Sequence, residues 1–185
     1  FQAELYLISP ITEAGRFLRK EYFLTSQQRD IERQILKGIR QKHTGYYWFI
    51  GLPGTGKTLL LYDLAMKLSG RQKVCLIHCG RAGKEWRILH ERLRRIDYLS
   101  DEQIHENMDL SEYNGVLIDE AHLLSEENLQ MILQACGQQP VIFSSDCEDM
   151  ISPEELDQNT VKAMRHLPEM QTYHLTNRIR TNAEL

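Results

Sequence analysis

The segment that decides the fold spans residues 46–58 and reads YYWFIGLPGTGKT. Its first five residues are apolar or aromatic, which favours a buried β-strand. The rest matches G-x-x-x-x-G-K-[ST], a loop that binds nucleotide phosphates when it joins a strand to a helix. Because Gly51, Gly54 and Gly56 permit positive φ angles and close backbone approach, the loop N–H groups can converge on phosphate oxygens. The following helix adds its positive N-terminus.

The loop predicts a nucleotide phosphate chain and Mg²⁺ as ligands. Lys57 supplies a mobile positive charge for the outer phosphates and is a candidate catalytic residue. Thr58 supplies a hydroxyl to the metal. The predicted cofactor-binding positions in this region are Gly51, Pro53, Gly54, Thr55, Gly56, Lys57, Thr58 and Leu59.

A second motif, Val116-Leu-Ile-Asp119-Glu120, describes a short buried strand that ends in two carboxylates. Ligands of open α/β sheets bind at the carboxyl ends of the strands. We expect Asp119 to hold Mg²⁺, directly or through water, and Glu120 to position and deprotonate the attacking water. Hydrolysis needs such a base, so the pair favours an NTP hydrolase over a small-molecule kinase. The alternative is an acidic start to the next helix, because Ser125-Glu-Glu follows.

Five short apolar runs alternate with segments of helical spacing, which predicts an α/β domain with a parallel sheet of about five strands covered on both faces. The predicted strands are Tyr46–Ile50, Val74–His78, Val116–Ile118, Val141–Phe143 and Gln171–Leu175. The predicted helices between them have apolar positions at 59–67, at Trp86, Leu89, Leu93 and Ile96, and at 129–136. A further helix is predicted from Ser26 to about Lys42, where Thr25 and Gln28 match a capping box.

Ser144-Ser145-Asp146 follows the fourth predicted strand. In P-loop ATPases with an additional strand, this strand lies between the two that carry the motifs above. Its polar tip would then face the γ-phosphate, which makes Asp146 a candidate cofactor-binding residue. The alternative is an ordinary turn from strand to loop.

In this order the motifs resemble those of superfamily 1 helicase-like P-loop ATPases, in particular the bacterial helicase-like proteins related to the Schlafen ATPase domain. The resemblance covers about residues 24–182 and implies a three-layer, RecA-like motor domain that hydrolyses ATP. It implies that Gln28, in Leu24-Thr-Ser-Gln-Gln28, contacts adenine, which is compatible with its capping role. It also implies that Arg180, in Leu175-Thr-Asn-Arg-Ile-Arg180, approaches the γ-phosphate as a catalytic residue; the alternative is a surface arginine on an edge strand.

The chain departs from the family pattern in two ways. Asp149 replaces the Gln of the family's Gly-Asp-x-x-Gln element, and a carboxylate near a γ-phosphate is repulsive. The sequence also ends shortly after Arg180, whereas helicases of this family need a second RecA-like domain. We therefore expect a fragment of a longer protein, with residues 1–23 as an N-terminal extension and 24–185 as the first motor domain. A nucleotide-sensing switch with slow or no hydrolysis is the competing interpretation.

Charge is distributed unevenly along the chain. Residues 1–95 hold 18 Lys or Arg against 8 Asp or Glu, whereas residues 96–161 hold 16 Asp or Glu and no Lys or Arg. This distribution indicates a polarised surface, although drift on a solvated face would look the same. The resemblance implies that the loop 81–87, which contains Lys84 and Trp86, contacts single-stranded DNA or RNA. Trp86 also fits the apolar stripe of a helix with Leu89.

The chain has no apolar run of the roughly 20 residues that a membrane helix needs, and its first residues do not resemble a signal peptide. The four cysteines are not spaced for a disulfide or a shared zinc ion, which predicts reduced thiols in a cytoplasmic protein. No two histidines have metal-ligand spacing. We therefore expect no membrane association, and no metal other than the ion that accompanies the nucleotide.

Overall fold

The computed structural model describes residues 14–19, 22–52, 55–80, 91–147 and 160–176. Six parallel strands form one sheet: β1 (Tyr46–Gly51), β2 (Val74–His78), β3 (Ile96–Ser100), β4 (Val116–Asp119), β5 (Val141–Asp146) and β6 (Gln171–Leu175). Their order across the sheet is β3-β2-β4-β5-β1-β6. Every neighbouring pair is parallel. The predicted α/β class and parallel sheet are therefore confirmed.

Helices cover both faces of the sheet. The described helices are α1 (Ala14–Leu18), α2 (Ser26–Lys42), α3 (Lys57–Leu68), α4 (Glu126–Cys136) and α5 (Thr160–Arg165), with 3-10 turns at Asp101–Gln103 and Ala121–Leu123. No helix in these residues is both long and apolar enough to cross a membrane.

Alternate residues of each strand supply two separate cores, as the two-residue period of a strand requires. Tyr47 and Phe49 of β1 pack with α2 and α3 on one face. Trp48, between them, packs with α4 and α5 on the other face. All strands are buried on both sides in this way except near the edges, which gives the three layers that the resemblance implied.

The sheet differs from the prediction at two places. Ile96 begins strand β3, whereas its spacing from Leu93 had suggested a helix. In β3, Ile-Asp-Tyr-Leu-Ser, only Ile96 and Tyr98 are buried. Two alternating buried residues are too few to identify a strand from the sequence. β5 also runs three residues beyond its apolar part, because Ser144 and Ser145 are buried in the sheet although they are polar. With β3 added, the sheet has six strands, whereas the sequence predicts about five.

The predicted helix at 26–42 is confirmed with its capping box. The Thr25 hydroxyl accepts from the backbone N–H of Gln28 at 3.1 Å, and the Gln28 amide oxygen accepts from Thr25 N–H at 2.8 Å. Two N–H groups that a helix start leaves unpaired are thereby satisfied. Ile31, Ile35 and Ile39 form the buried stripe that holds α2 on the sheet.

A buried polar cluster fixes the N-terminal segment to this helical layer. Tyr22 donates its hydroxyl hydrogen to Asp63 of α3, and Lys67 contacts both Glu32 of α2 and Asp63. Phe17 of α1 is fully buried and stacks on Tyr22, with ring centroids 5.2 Å apart. Phe17, Leu18, Tyr22 and Leu24 therefore share the core of α2 and α3.

Glu32 makes this cluster sensitive to pH. Burial, with the neighbouring Asp63 carboxylate, raises the pKa of Glu32 from 4.5 to about 8, although Lys67 opposes the rise. Because the folded pKa is raised, the favourable contribution is complete below the unfolded pKa of 4.5. It is lost as the pH rises through 8.

We expect the wild-type protein to lose roughly 2 kcal/mol of unfolding free energy between pH 6 and pH 9 from this group. Glu32→Gln carries no ionisable group there and should lack that loss. Urea unfolding at both pH values measures the difference, with exposed Glu106→Gln as the matched control. Identical pH profiles for wild type and Glu32→Gln would show that Glu32 is not a protonated, buried acid.

Candidate nucleotide-binding site

The carboxyl ends of three neighbouring strands bring the predicted site residues together. β5 pairs with β1 so that Asp146 lies opposite Gly51, and β5 pairs with β4 on its other side. β4 ends at Asp119. The prediction that β5 lies between the two motif strands is confirmed. Asp119, Asp146 and the start of the phosphate loop therefore share one edge of the sheet.

The phosphate loop leaves β1 at a position where only glycine fits. A Cβ atom on Gly51 would lie 2.6 Å from the Thr55 hydroxyl oxygen and 3.0 Å from the Leu175 Cβ atom. The loop closes on itself, because Thr55 donates its hydroxyl hydrogen to the Leu52 carbonyl at 2.7 Å. Gly56 then adopts a φ of 79°, which favours glycine, and starts α3.

The start of α3 leaves backbone donors available. Gly56 is the N-cap and provides no side chain to cap the helix. The first intrahelical bond runs from Leu60 N–H to the Gly56 carbonyl, so the N–H groups of Lys57, Thr58 and Leu59 precede it. The side chain of Leu59 packs in the core, which leaves its backbone as its only means of contacting a phosphate. An anion at this helix start would meet three donors and the positive helix end.

Gln28 connects α2 to the phosphate loop. Besides its capping bond, its side-chain NH₂ group donates to the Thr55 carbonyl at 2.9 Å, and the residue is fully buried. The sequence suggested capping and adenine contact for this residue; the bond to Thr55 is an additional role. Adenine contact by Gln28 stays a prediction.

Lys57 is held at the site by negative charge and carbonyl oxygens. Its Nζ atom lies 2.7 Å from Asp146 Oδ1 and 2.9 Å from the Gly51 carbonyl oxygen, and the residue is 8% exposed. A third contact reaches the Leu52 carbonyl at 3.3 Å. A nucleotide phosphate must therefore compete with the Asp146 carboxylate for this ammonium group.

Asp119 is fully buried, and one of its two carboxylate oxygens accepts a hydrogen bond. His78, at the end of β2, donates from Nδ1 to Asp119 Oδ2 at 3.0 Å. The other oxygen, Oδ1, is buried with no hydrogen-bond partner among the residues that the structure describes. A buried carboxylate oxygen without a partner is unfavourable, and a hard cation such as Mg²⁺ would satisfy it. A carboxylate oxygen here and the hydroxyl of Thr58, the residue after Lys57 in α3, are the kinds of oxygen donor that suit the metal the motifs predict.

Glu120 stands in a strained backbone conformation beside Asp119. Its φ of 56° is unusual for a residue with a side chain, and such strain often occurs at functional sites. Burial, together with the charges of Asp119 and Asp146, raises the pKa of Glu120 to about 7, although the charges of Lys57 and His78 oppose the rise. This carboxyl group can therefore exchange a proton near neutral pH.

His122 joins Glu120 to Asp146. Its Nδ1 atom accepts from the Asp146 backbone N–H at 3.3 Å, so the ring proton is on Nε2. Nε2 lies 3.5 Å from Glu120 Oε2 and 3.7 Å from Asp146 Oδ2. The three side chains are close enough to share a metal ion. However, a metal-bound imidazole donates from its other nitrogen, and here that nitrogen accepts. The arrangement suits a ring that orients two carboxylates.

Several predicted positions lie outside the described residues. These are Pro53, Gly54, Asp149, Arg180 and the loop at 81–87. The sequence analysis did not single out His78 or His122 for this site. The signal that could have found them is their position at or just after strands whose carboxyl ends meet at one edge. All four cysteines are free thiols, in agreement with the prediction.

A protein-family model described as Schlafen group 3, DNA/RNA helicase domain matches residues 47–184. The chain belongs to this family. The matched range includes the phosphate loop, Asp119, Glu120 and Asp146, so the site described above lies within the Schlafen group 3 helicase domain. This confirms the resemblance inferred from the motifs.

Solved structures share the fold of this Schlafen group 3 domain. The flagellar accessory protein FlaH from Methanocaldococcus jannaschii matches with a TM-score of 0.51 and 15% identity, over 77% of this chain and 75% of FlaH. The Pyrococcus furiosus Hef helicase domain has a TM-score of 0.48 at 15% identity, covering 80% of this chain and 38% of that chain. Unliganded Pif1 from Bacteroides sp has a TM-score of 0.44 at 14% identity, covering 86% and 42%.

The chain thus spans well under half of the Hef and Pif1 structures. At these identities the likeness is one of fold alone. No curated protein matches the chain. The fold is that of a helicase-like, RecA-like P-loop ATPase domain.

The Gln28 contact gives a test that separates its two roles. Gln28→Ala removes the bond to Thr55 and should weaken binding of ATP and GTP equally, because the loop and not the base is affected. It should also cost about 1–3 kcal/mol of stability, since a buried carbonyl loses its donor. Thr25→Ala, which removes the capping hydroxyl alone, is the control. Titrations with both nucleotides give the affinities; a loss confined to ATP would assign Gln28 to adenine contact instead.

Proposed function

We propose that this domain binds ATP with Mg²⁺ and hydrolyses it as the first motor domain of a helicase-like protein that acts on nucleic acid. The observation that carries the proposal is the buried, unpaired Oδ1 atom of Asp119 at the sheet edge that also holds the phosphate loop. Buried carboxylate oxygens are normally hydrogen-bonded or near a cation; Glu32 and Asp63, which also have an oxygen without a hydrogen bond, both contact Lys67. A second RecA-like domain in the full-length protein is part of the proposal.

Thr58 and Asp119 would hold the metal, which supplies charge neutralisation to the outer phosphates when it is bound. Lys57 would leave Asp146 and bind the same phosphates. The N–H groups at the start of α3 would receive the remaining oxygens. Asp146 is then free to approach the nucleotide or its metal-bound water from the neighbouring strand.

Glu120 would act as the base that positions and deprotonates the attacking water. Its raised pKa reflects burial and the nearby carboxylates, and His122 Nε2 lies 3.5 Å from one of its oxygens. Arg180, beyond the described residues, is proposed to stabilise charge that develops on the γ-phosphate.

Two variants separate binding from chemistry. Lys57→Ala should abolish detectable nucleotide binding, because the main positive charge for the phosphates is lost. Glu120→Gln should bind ATP with near wild-type affinity and hydrolyse it at least about 100-fold more slowly, as is typical when a general base is removed. Calorimetry and phosphate release give the two quantities. Unchanged ATP affinity in Lys57→Ala, or full turnover in Glu120→Gln, would refute the respective assignment.

The second candidate function is a nucleotide-sensing switch with slow or no hydrolysis. The Lys57–Asp146 ion pair of 2.7 Å favours it, because ATP must break that pair and can thereby change the end of β5 without turnover. Asp149, in place of the family's glutamine, points the same way.

Turnover with and without nucleic acid distinguishes the two functions. The motor function predicts that single-stranded DNA or RNA stimulates ATP hydrolysis several-fold, because the family couples the two sites. The switch predicts slow turnover that does not respond. The measurement is steady-state phosphate release with oligo-dT and oligo-U, with Glu120→Gln as the background control.

A further inference from the structure

The exposed face of α2 carries a row of positive charges that the nucleotide site does not use. Arg29, Arg33, Lys37 and Arg40 are all exposed and recur at intervals of four, four and three residues. Residues at this spacing lie along one side of a helix. With a rise of 1.5 Å per residue, the charges follow one another at about 6 Å and span roughly 16 Å. We call this row the α2 basic ridge.

The α2 basic ridge has no acidic partner within the described part of the chain. None of its four side chains forms an ion pair with a described residue. Asp30, the exposed acid of α2, instead accepts a hydrogen bond from Gln34 at 3.1 Å. Like charges four residues apart destabilise a helix, and Arg29 also lies in the first turn, where the helix dipole disfavours a cation. The ridge therefore weakens α2 unless an anion binds it.

Positive charge continues beyond the end of the ridge. At Arg40 the ridge meets a groove of about 620 Å³ between α2 and the C-terminal end of α3, which Arg71 also lines; Lys67, in the same groove, is already paired with Glu32 and Asp63. On the opposite layer the start of α4 is acidic, with exposed Glu126 and Glu127, whereas α5 carries exposed Lys162 and Arg165. A polyanion would therefore be attracted to the α2 face and repelled from the α4 face.

We propose that the α2 basic ridge binds the phosphodiester backbone of a nucleic acid. Three of its four cations are arginines, which bind phosphate oxygens through two parallel hydrogen bonds. Phosphate contacts supply most of the sequence-independent affinity of nucleic-acid-binding proteins. An acidic protein is a poorer match, because the core of a protein interface is depleted of charge and this line of residues contains no apolar side chain.

The ridge is a different surface from the nucleotide site. It lies on the exposed side of the helix whose buried side provides Gln28. Binding at the ridge requires neither ATP nor Glu120, so it is independent of the proposed hydrolysis. The resulting contact would add to whatever nucleic-acid affinity the motor function itself requires.

The test compares two triple variants that remove the same charge. Arg33→Gln/Lys37→Gln/Arg40→Gln neutralises the ridge, and Lys42→Gln/Lys162→Gln/Arg165→Gln neutralises cations elsewhere. Anisotropy of a labelled 20-nucleotide oligo-dT, without nucleotide, gives the affinity at several salt concentrations. The ridge variant should bind at least about tenfold more weakly and lose about 2 from the slope of log K against log salt, at about 0.7 per phosphate contact. The control variant should keep the wild-type slope.

Thermal unfolding of both variants tests whether weaker binding results from loss of the fold. The ridge variant should be at least as stable as wild type, because the substitutions remove repulsion between like charges. Equal losses in both variants, or no oligo-dT binding by the wild type, would overturn the proposal. Displacement of oligo-dT by poly-glutamate at the same charge concentration would also overturn it and assign the ridge to an acidic protein.

Discussion

The position of β5 between β1 and β4 is the constraint on which the site depends. Parallel pairing places the last residue of β5, Asp146, opposite Gly51 and in contact with Lys57. The same arrangement brings Asp119 and Glu120 to that edge from the other side. Each strand alone carries an incomplete site, and the sheet assembles it at its carboxyl edge, where ligands of α/β folds bind.

The charges at this edge explain why a nucleotide would need a metal ion. Asp119 and Asp146 both lie close enough to Glu120 to raise the free-energy cost of ionising its carboxyl group. Lys57 and His78 offset part of that repulsion in the absence of ligand. A triphosphate would bring further negative charge and would draw Lys57 away from Asp146. A divalent cation held by Asp119 would offset that negative charge, which is why we propose that the metal and the nucleotide bind together.

Much of the fold could be predicted from the sequence, because its signals are local. The phosphate loop, the apolar strand before Asp119 and the capping box at Thr25 each span a few residues, and each corresponds to an observed element. β3 was missed because two buried residues, Ile96 and Tyr98, give too short a pattern to separate a strand from a helix end. The polar end of β5 was missed because Ser144 and Ser145 are buried by their neighbours and not by their own hydrophobicity.

For the site, too, the residues that the sequence predicts belong to local motifs, whereas the others come together only in the folded chain. Lys57, Asp119 and Glu120 belong to contiguous motifs. His78 and His122 join the site only through strand order and the turn after β4, which brings His122 against the backbone of Asp146. The bond from Gln28 to Thr55 likewise joins residues 27 positions apart. No spacing rule within one segment indicates such contacts, because they depend on how helices and strands pack.

The most direct test of the account is a crystal structure with Mg²⁺ and a non-hydrolysable ATP analogue. We predict that Lys57 Nζ leaves Asp146 for the outer phosphates and that the metal contacts Asp119, directly or through a bound water, as well as the Thr58 hydroxyl. An analogue bound away from residues 51–59, or a metal that leaves Asp119 Oδ1 without a partner, would contradict the account.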